Sequence, residues 1–269
     1  MTRLDPDRYL HHLRRDSARF RDVLAGCDPA ARVPACPDWD ADDLLWHLAE
    51  VQWFWSDVVR HRPAGPDDEL EARRPARASG HEALLAQFDA CSAGLVDALA
   101  AADPAEAAWH WGPEQTVLAS YRRQAHEVLI HRLDAEQTAG VEPEPLDAEL
   151  ATDGVAEAID LMYGGDAPAW GRIEGGEHVV RVDLTDVGVA LWARPCTFLG
   201  TDPESGKTHD GPHVLLVEDP GVEADAVVSG TAADVDAWLW KRRGREGIEA
   251  TGDQAALEGF MAAVTPPID

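Results

Sequence analysis

Residues 39–48 read Trp-Asp-Ala-Asp-Asp-Leu-Leu-Trp-His-Leu, and this run predicts the start of a helix. Asp40 is a suitable N-cap, and Asp42 and Asp43 suit the positive end of a helix dipole. Apolar residues then recur in steps of three and four, as on one face of an amphipathic helix: Leu44, Leu48, Val51, Trp55 and Val58. His47 has apolar neighbours on this side, so we expect its imidazole to face a bundle interior. A single inward histidine is more often a hydrogen-bonded core residue than a ligand.

Three further amphipathic segments predict that the first part of the chain is all-α. They cover residues 5–24, 80–101 and about 114–138. The Pro-rich residues 29–37, which a helix cannot easily cross, and a charged loop at 61–78 separate the segments. The sequence therefore predicts an antiparallel bundle of four long helices in a domain of residues 1–145.

The pattern changes after residue 141. Residues 142–145, Glu-Pro-Glu-Pro, resemble a stiff linker. Beyond them the periodicity is mixed and predicts a separate α/β domain of residues 146–269. Its predicted helices are 146–163, 231–240 and 253–264, and its predicted strands are 179–184, 187–192, 213–217 and 224–229, with a hairpin turn at Thr185-Asp186.

Composition excludes several classes of function. The 269 residues include 23 Lys and Arg against 50 Asp and Glu, a formal net charge of −27. Such a surface repels phosphate backbones and anionic lipids, so we expect no nucleic acid and no membrane partner. Without an apolar run of about 18 residues or an apolar signal-peptide core, we expect a cytoplasmic protein. The cysteines lie far apart without a CxxC pair, which fits a reducing compartment: Cys27, Cys36, Cys91 and Cys196.

The fourth predicted helix carries a polar stripe of Gln124, Glu127, His131 and Asp134. Glu127 and His131 are four residues apart, so they share a face and can bind one ion. The alternative is a solvated face with an internal Glu–His pair. His126 lies five residues from His131, about 140° around a helix of 3.6 residues per turn, and cannot share that ion. The metalloprotease motif H-E-x-x-H is therefore absent.

These motifs resemble those of the mycothiol-dependent maleylpyruvate isomerase family. Residues 33–39, Val-Pro-Ala-Cys-Pro-Asp-Trp, lead into a helix with His47-Leu48, as in the family's N-terminal signature. Glu127 to Asp134 resembles its Glu-x-x-x-His-Arg-x-Asp pattern. The resemblance implies a DinB-like four-helix bundle followed by a small α/β domain related to sterol carriers. It also implies that the metal ligands are His47, Glu127 and His131.

The second domain extends the resemblance. Residues 230–242 are similar to the family's Gly-x-x-x-Asp…Trp-Leu-x-Gly-Arg segment, in which an arginine matters to activity. Arg242 is the nearest match, although Lys241 stands where the family has glycine, and Arg243 is an adjacent candidate. Either arginine could bind a carboxylate of substrate or thiol cofactor. The alternative is a surface cation at a helix C-terminus. We interpret Cys36 as a packing residue rather than a nucleophile.

The resemblance implies an enzyme that activates a low-molecular-weight thiol, mycothiol, on a divalent metal. Zinc suits the ligand set, and nickel or iron accept it too. The thiol would isomerise a small electrophile or be transferred to it. We expect the open side of the metal to face a cleft between the two domains, reached by Arg242 before Arg243. Two alternatives remain: a metal-binding or small-molecule-binding protein without turnover, and a metal-dependent hydrolase.

Overall fold

The computed structural model describes residues 2–67 and 69–268. Met1, Asp68 and Asp269 lie outside the described residues, and with them the outer ends of the predicted domains and one position of the predicted 61–78 loop. The chain divides into two compact units. The first comprises Leu4–Pro145, and the second begins at Leu146 and includes Thr2 and Arg3. The predicted fold class, a helical region followed by a mixed α/β region, is confirmed.

In its described part, the first unit contains four long helices. They are α1 (Pro6–Ala25), α2 (Ala41–His61), α4 (His81–Ala100) and α5 (Val117–Thr138), with a short α3 (Leu70–Arg73) between α2 and α4. The Pro-rich stretch forms a small antiparallel pair of strands, β1 (Arg32–Val33) and β2 (Cys36–Asp40), that was not predicted. These strands are too short for an alternating pattern to show in the sequence.

The start of α2 is fixed by the residues that predicted it. Asp40 Oδ1 accepts from the Asp43 backbone N–H at 2.9 Å, and Asp43 Oδ2 accepts from the Asp40 N–H at 3.1 Å. This capping box satisfies two amide groups that would otherwise lack partners at the helix N-terminus. It therefore sets the register of α2 and places His47 in the second turn.

Helix α4 is long and apolar enough to cross a membrane by length and composition alone. Core helices of helical bundles pass the same test. Its large apolar side chains are buried inside the first unit: Leu84, Leu85, Phe88, Leu95 and Leu99. Phe88 packs against Phe20 of α1, with ring centroids 5.0 Å apart. The large apolar side chains of α4 thus contribute to the bundle core, and 33% of its apolar stretch is buried.

Among its described residues, the second unit contains a six-stranded sheet. The strands are β3 (Gly171–Glu174), β4 (Val180–Leu184), β5 (Val189–Thr201), β6 (Thr208–Val217), β7 (Ala226–Gly230) and β8 (Glu249–Gly252). β6 pairs with one edge of β5, while β4 and β3 share the other edge. β4 pairs in parallel with β7, and the other pairs are antiparallel. The helices are α6 (Ala148–Glu157), α7 (Ala232–Leu239) and α8 (Gln254–Val264).

The second unit departs from prediction mainly in the lengths of its elements. The turn predicted at Thr185-Asp186 does join β4 to β5, but it comprises residues 185–188, with Leu184 opposite Val189. However, β5 and β6 extend far beyond the predicted 187–192 and 213–217, because proline and glycine interrupt the apolar pattern there. β3 and β8 were not predicted. The predicted helix 146–163 is α-helical only to Glu157 and continues as a π-turn at Ala158–Met162.

Candidate metal centre

The structure brings together the side chains of His47, Glu127 and His131. His131 Nε2 lies 3.1 Å from Glu127 Oε1, and His47 Nε2 lies 3.5 Å from the same oxygen. The two imidazole rings are 4.8 Å apart between centroids and nearly perpendicular. One donor atom from each residue lies within 4.8 Å of the others. Residues 80 positions apart in the sequence thus point their donor atoms at one place.

The donor set fits a divalent metal ion. Metal bonds to imidazole nitrogen and carboxylate oxygen are about 2.0–2.2 Å long, so donors around a tetrahedral ion lie roughly 3.4 Å apart. The distances from Glu127 Oε1 to the two histidine nitrogens bracket that value. Two imidazoles and one carboxylate suit zinc, and iron and nickel accept the same donors. Three protein donors would leave a coordination position for another molecule.

Local structure explains how these side chains meet. Glu127 and His131 are stacked one turn apart on α5, as their spacing predicted. His47 comes from α2, which packs against α5. The ring of Trp39, in β2, lies 4.7 Å from the His47 ring between centroids. The short strand before α2 therefore supplies an aromatic wall for the histidine.

Asp134 contacts His131 at the imidazole nitrogen that does not face Glu127. Its Oδ2 lies 2.9 Å from His131 Nδ1, and the residue is fully buried. A carboxylate on one imidazole nitrogen fixes the tautomer and directs the other nitrogen outward. Asp134 thereby fixes the ring orientation that presents His131 Nε2 to Glu127.

Arg123 contacts the metal-donor cluster, and the sequence motifs did not predict it. Its Nη2 donates to Glu127 Oε2, and its side chain is buried. The signal in the sequence is its position four residues before Glu127, which places both side chains on one face of α5. A buried arginine needs such a partner because it stays charged at all physiological pH values.

The contacts shift the pKa values of both α5 donors. Burial alone would raise the pKa of Glu127, but the Arg123 guanidinium and hydrogen bonds from the two histidines hold it well below its usual range. Burial alone would lower the pKa of His131, but hydrogen bonds to Asp134 and Glu127 raise it to about 9. A metal that takes these donors therefore competes with a proton at His131.

Two other residues considered from the sequence lie outside this cluster. The His126 ring is 6.3 Å from Tyr9 of α1 in an edge-to-face contact, and His126 is not among the described donors that converge here. Cys36 lies in β2, is partly exposed and forms no disulfide bond. All four cysteines lie in described parts of the chain, and none of them forms a disulfide bond.

Arg242 and Arg243 lie just beyond α7 in the second unit. Arg242 Nη1 donates to the Trp240 carbonyl at 2.7 Å, and Arg243 Nη1 pairs with Asp234 Oδ1 at 2.9 Å. Lys241, which stands where the family motif has glycine, adopts a left-handed conformation with φ 62°. Glycine favours that conformation. The backbone at Lys241 therefore has a conformation that glycine would adopt without strain.

Comparison with known proteins gives the family. Residues 10–136 match the domain described as "Mycothiol maleylpyruvate isomerase N-terminal domain", and residues 149–259 match the C-terminal domain of the same family. The chain belongs to the mycothiol-dependent maleylpyruvate isomerase family. The two matches take in all three donor residues as well as both arginines.

Two solved structures resemble the chain. They are crystal structures of the mycothiol-dependent maleylpyruvate isomerase and of a histidine-to-alanine mutant of it. The TM-scores are 0.59 and 0.60, at 14% sequence identity, over 93% of this chain and 95% of the other. At this identity the likeness shows the fold alone. No curated protein sequence matches the chain.

Proposed function

We propose that this chain is a metal-dependent enzyme that activates mycothiol for isomerisation of a small electrophile or for S-transfer to it. The observation that supports this most is the convergence of His47, Glu127 and His131 donor atoms in a family named for a mycothiol-dependent reaction. The three donors come from two helices, and both histidine nitrogens lie at 3.1–3.5 Å from Glu127 Oε1, separations that one metal ion can bridge.

The proposed metal ligands, and the residue that orients one of them, all belong to this chain. His47, Glu127 and His131 would bind a divalent ion, zinc before nickel or iron, and Asp134 would hold His131 in the binding tautomer. A metal bound there lowers the pKa of a coordinated thiol and keeps it as the thiolate. The thiol comes from the co-substrate, so the cysteines of the chain are not needed as nucleophiles.

The same nucleophile supports two reaction classes. In isomerisation, the thiolate adds to an activated carbon–carbon double bond, the resulting single bond rotates, and elimination of the thiolate restores the double bond in the other geometry. The thiol is regenerated at the end of the reaction, and no proton is gained or lost overall. In S-transfer, the sulfur forms a bond to carbon while a leaving group departs with the bonding electron pair, and the thiol is consumed. Consumption of mycothiol therefore separates the two classes.

Arg242 is proposed as the cation that binds an anionic group of the substrate or of mycothiol, with Arg243 as the second choice. Arg243 already pairs with a carboxylate, Asp234. A guanidinium can bind a carboxylate in a bidentate manner. In a chain with a net charge of −27, such a cation offsets repulsion of an anionic substrate.

The cellular setting proposed is the cytoplasm, with small molecules as partners. Mycothiol and a small electrophile are the proposed substrates. The strongly negative surface disfavours nucleic acid and anionic membranes.

The test combines metal content with turnover. The purified protein would be assayed for bound zinc, nickel and iron, and then for isomerisation of maleylpyruvate with and without mycothiol and with a chelator. We expect about one metal ion per chain and activity that requires both metal and thiol. Metal without any thiol-dependent reaction on a panel of electrophiles would favour a binding protein, and thiol-independent hydrolysis would favour a metal hydrolase.

A further inference from the structure

The two carboxylate oxygens of Glu127 face different partners. Oε1 lies 3.1 Å from His131 Nε2 and 3.5 Å from His47 Nε2. Oε2 accepts a hydrogen bond from Arg123 Nη2. The carboxylate is thus oriented with one oxygen toward the two imidazoles and the other held by a guanidinium. This division leaves a single oxygen free to act as a ligand.

The pairing of Arg123 with Glu127 differs from a surface ion pair. The Arg123 side chain is 5% exposed and that of Glu127 is 16% exposed. Exposed pairs of this spacing contribute little, whereas a buried charge next to its partner acts through a weakly screening environment. Arginine also precedes glutamate here, which is the less favourable order for an isolated helix. Helix stability alone therefore does not account for a buried cation at this position.

The positive charge of Arg123 affects which ligands the site can bind. The guanidinium adds one positive charge next to Glu127, beside the donors that would hold a divalent ion. A positive charge near the site favours the ionised form of a thiol ligand. Without Arg123 the site would hold one positive charge fewer, and a buried thiolate there would be less well compensated.

We propose that Arg123 is a positioning residue that restricts Glu127 to one ligand oxygen and adds a positive charge that favours an anionic sulfur ligand. This inference rests on the proposed function, because it assumes a metal at the His47, Glu127 and His131 donors. Arg123 touches the ligand Glu127 and acts through it. Arg123 and the three proposed ligands all lie in the first unit.

The test uses the full-length protein loaded with Co²⁺, whose visible absorption is stronger in four-coordinate than in five- or six-coordinate sites. Arg123→Met removes the charge and the hydrogen bond, and Arg123→Lys keeps the charge. Arg132→Met is the matched control, since Arg132 is also a buried arginine of α5 paired with a glutamate four residues on, Glu136, at 2.8 Å. Thermal melts of each variant report folding.

We expect Arg123→Met to weaken the Co²⁺ absorption, because Glu127 can then bind through both oxygens. It should also weaken mycothiol binding, read from the sulfur-to-cobalt charge-transfer band, by about tenfold or more, because loss of a nearby positive charge disfavours the thiolate. Arg123→Lys should restore most of the thiol affinity. Arg132→Met should leave both signals of the folded protein unchanged.

A Co²⁺ spectrum and a mycothiol affinity unchanged in Arg123→Met would overturn this inference while leaving the proposed function intact. Equal losses in Arg123→Met and Arg132→Met would overturn it as well, since they would show a general structural effect. A wild-type protein that binds no Co²⁺ would instead contradict the proposed function, and this inference with it.

Discussion

Helix α5 carries two buried charged clusters of different character. In the first, Glu127 Oε1 faces two imidazole nitrogens. In the second, about one turn further along, Arg132 pairs with Asp16 of α1 at 3.1 Å and with Glu136 at 2.8 Å. A metal can occupy the first cluster because its nitrogen and oxygen donors converge. In the second cluster, the guanidinium stands between the carboxylates where a metal would have to be. The same helix thus combines a binding site with a structural ion-pair network.

The largest effect in this comparison is expected from His47→Ala. It removes one of three donors, so the protein should lose both bound metal and turnover. His61→Ala is the matched control, because His61 lies on the same helix and bonds the Asp57 carbonyl at 2.9 Å outside the donor cluster. Metal analysis after purification and dialysis checks this. Full metal occupancy in His47→Ala would show that this histidine is a core residue and no ligand.

Arg132→Met should act on the second cluster and on stability. The substitution removes one cation from Asp16 and Glu136. Arg15 and Arg19 still pair with these two carboxylates, at 3.0 and 2.9 Å. The cost should therefore lie at or below the about 3–5 kcal/mol of a buried charge that loses its partner. Urea denaturation measures the loss. Metal affinity of the folded fraction should stay at the wild-type value. A large drop in metal affinity with little change in stability would mean that the two clusters act as one.

Asp134→Asn probes the contact that orients His131. The amide cannot carry the negative charge that supports the imidazole, so metal affinity should fall about 10–100-fold. Asp42→Asn is the matched control, because Asp42 bonds His81 Nδ1 at 2.6 Å away from the donors. Chelator competition would measure both variants. Equal affinities for wild type and Asp134→Asn would assign Asp134 to packing alone.

Of these variants, we expect Arg242→Ala to change the metal site least and to reduce turnover selectively. Loss of a substrate-orienting cation should reduce kcat/KM roughly 10–100-fold with metal content unchanged. Arg243→Ala should have a weaker effect because Arg243 is paired with Asp234. Steady-state kinetics and metal analysis on the same preparations check this. Unchanged kinetics in Arg242→Ala would remove the arginine from the proposed reaction.

The sequence predicted the helical half far better than the sheet. Asp40 and the apolar repeat fixed α2, and the four-residue spacing of Glu127 and His131 fixed their common face, because these signals are local. The meeting of His47 with both came from the family resemblance, since spacing along the chain does not reveal which helices pack together. The contact of Arg123 with Glu127 depends on rotamers, which the helical repeat alone does not specify.

The strands of the sheet were harder to predict because they contain proline and glycine, which are uncommon inside strands. Pro195 lies inside β5 opposite Val214, and Gly200 and Gly211 interrupt β5 and β6. Such residues usually mark strand ends or bulges. The pairing of two long neighbouring strands stabilises them here despite the interruptions. A pattern confined to a single segment could not show that long-range pairing.

X-ray absorption spectroscopy of the zinc-loaded protein tests the central claim most directly. The account predicts one zinc ion per chain with two imidazole nitrogens and one carboxylate oxygen at about 2.0–2.2 Å. Addition of mycothiol should introduce one sulfur at about 2.3 Å, and His47→Ala should abolish the zinc signal. Zinc bound by sulfur before any thiol is added, or zinc retained in His47→Ala with both imidazoles still present, would contradict it.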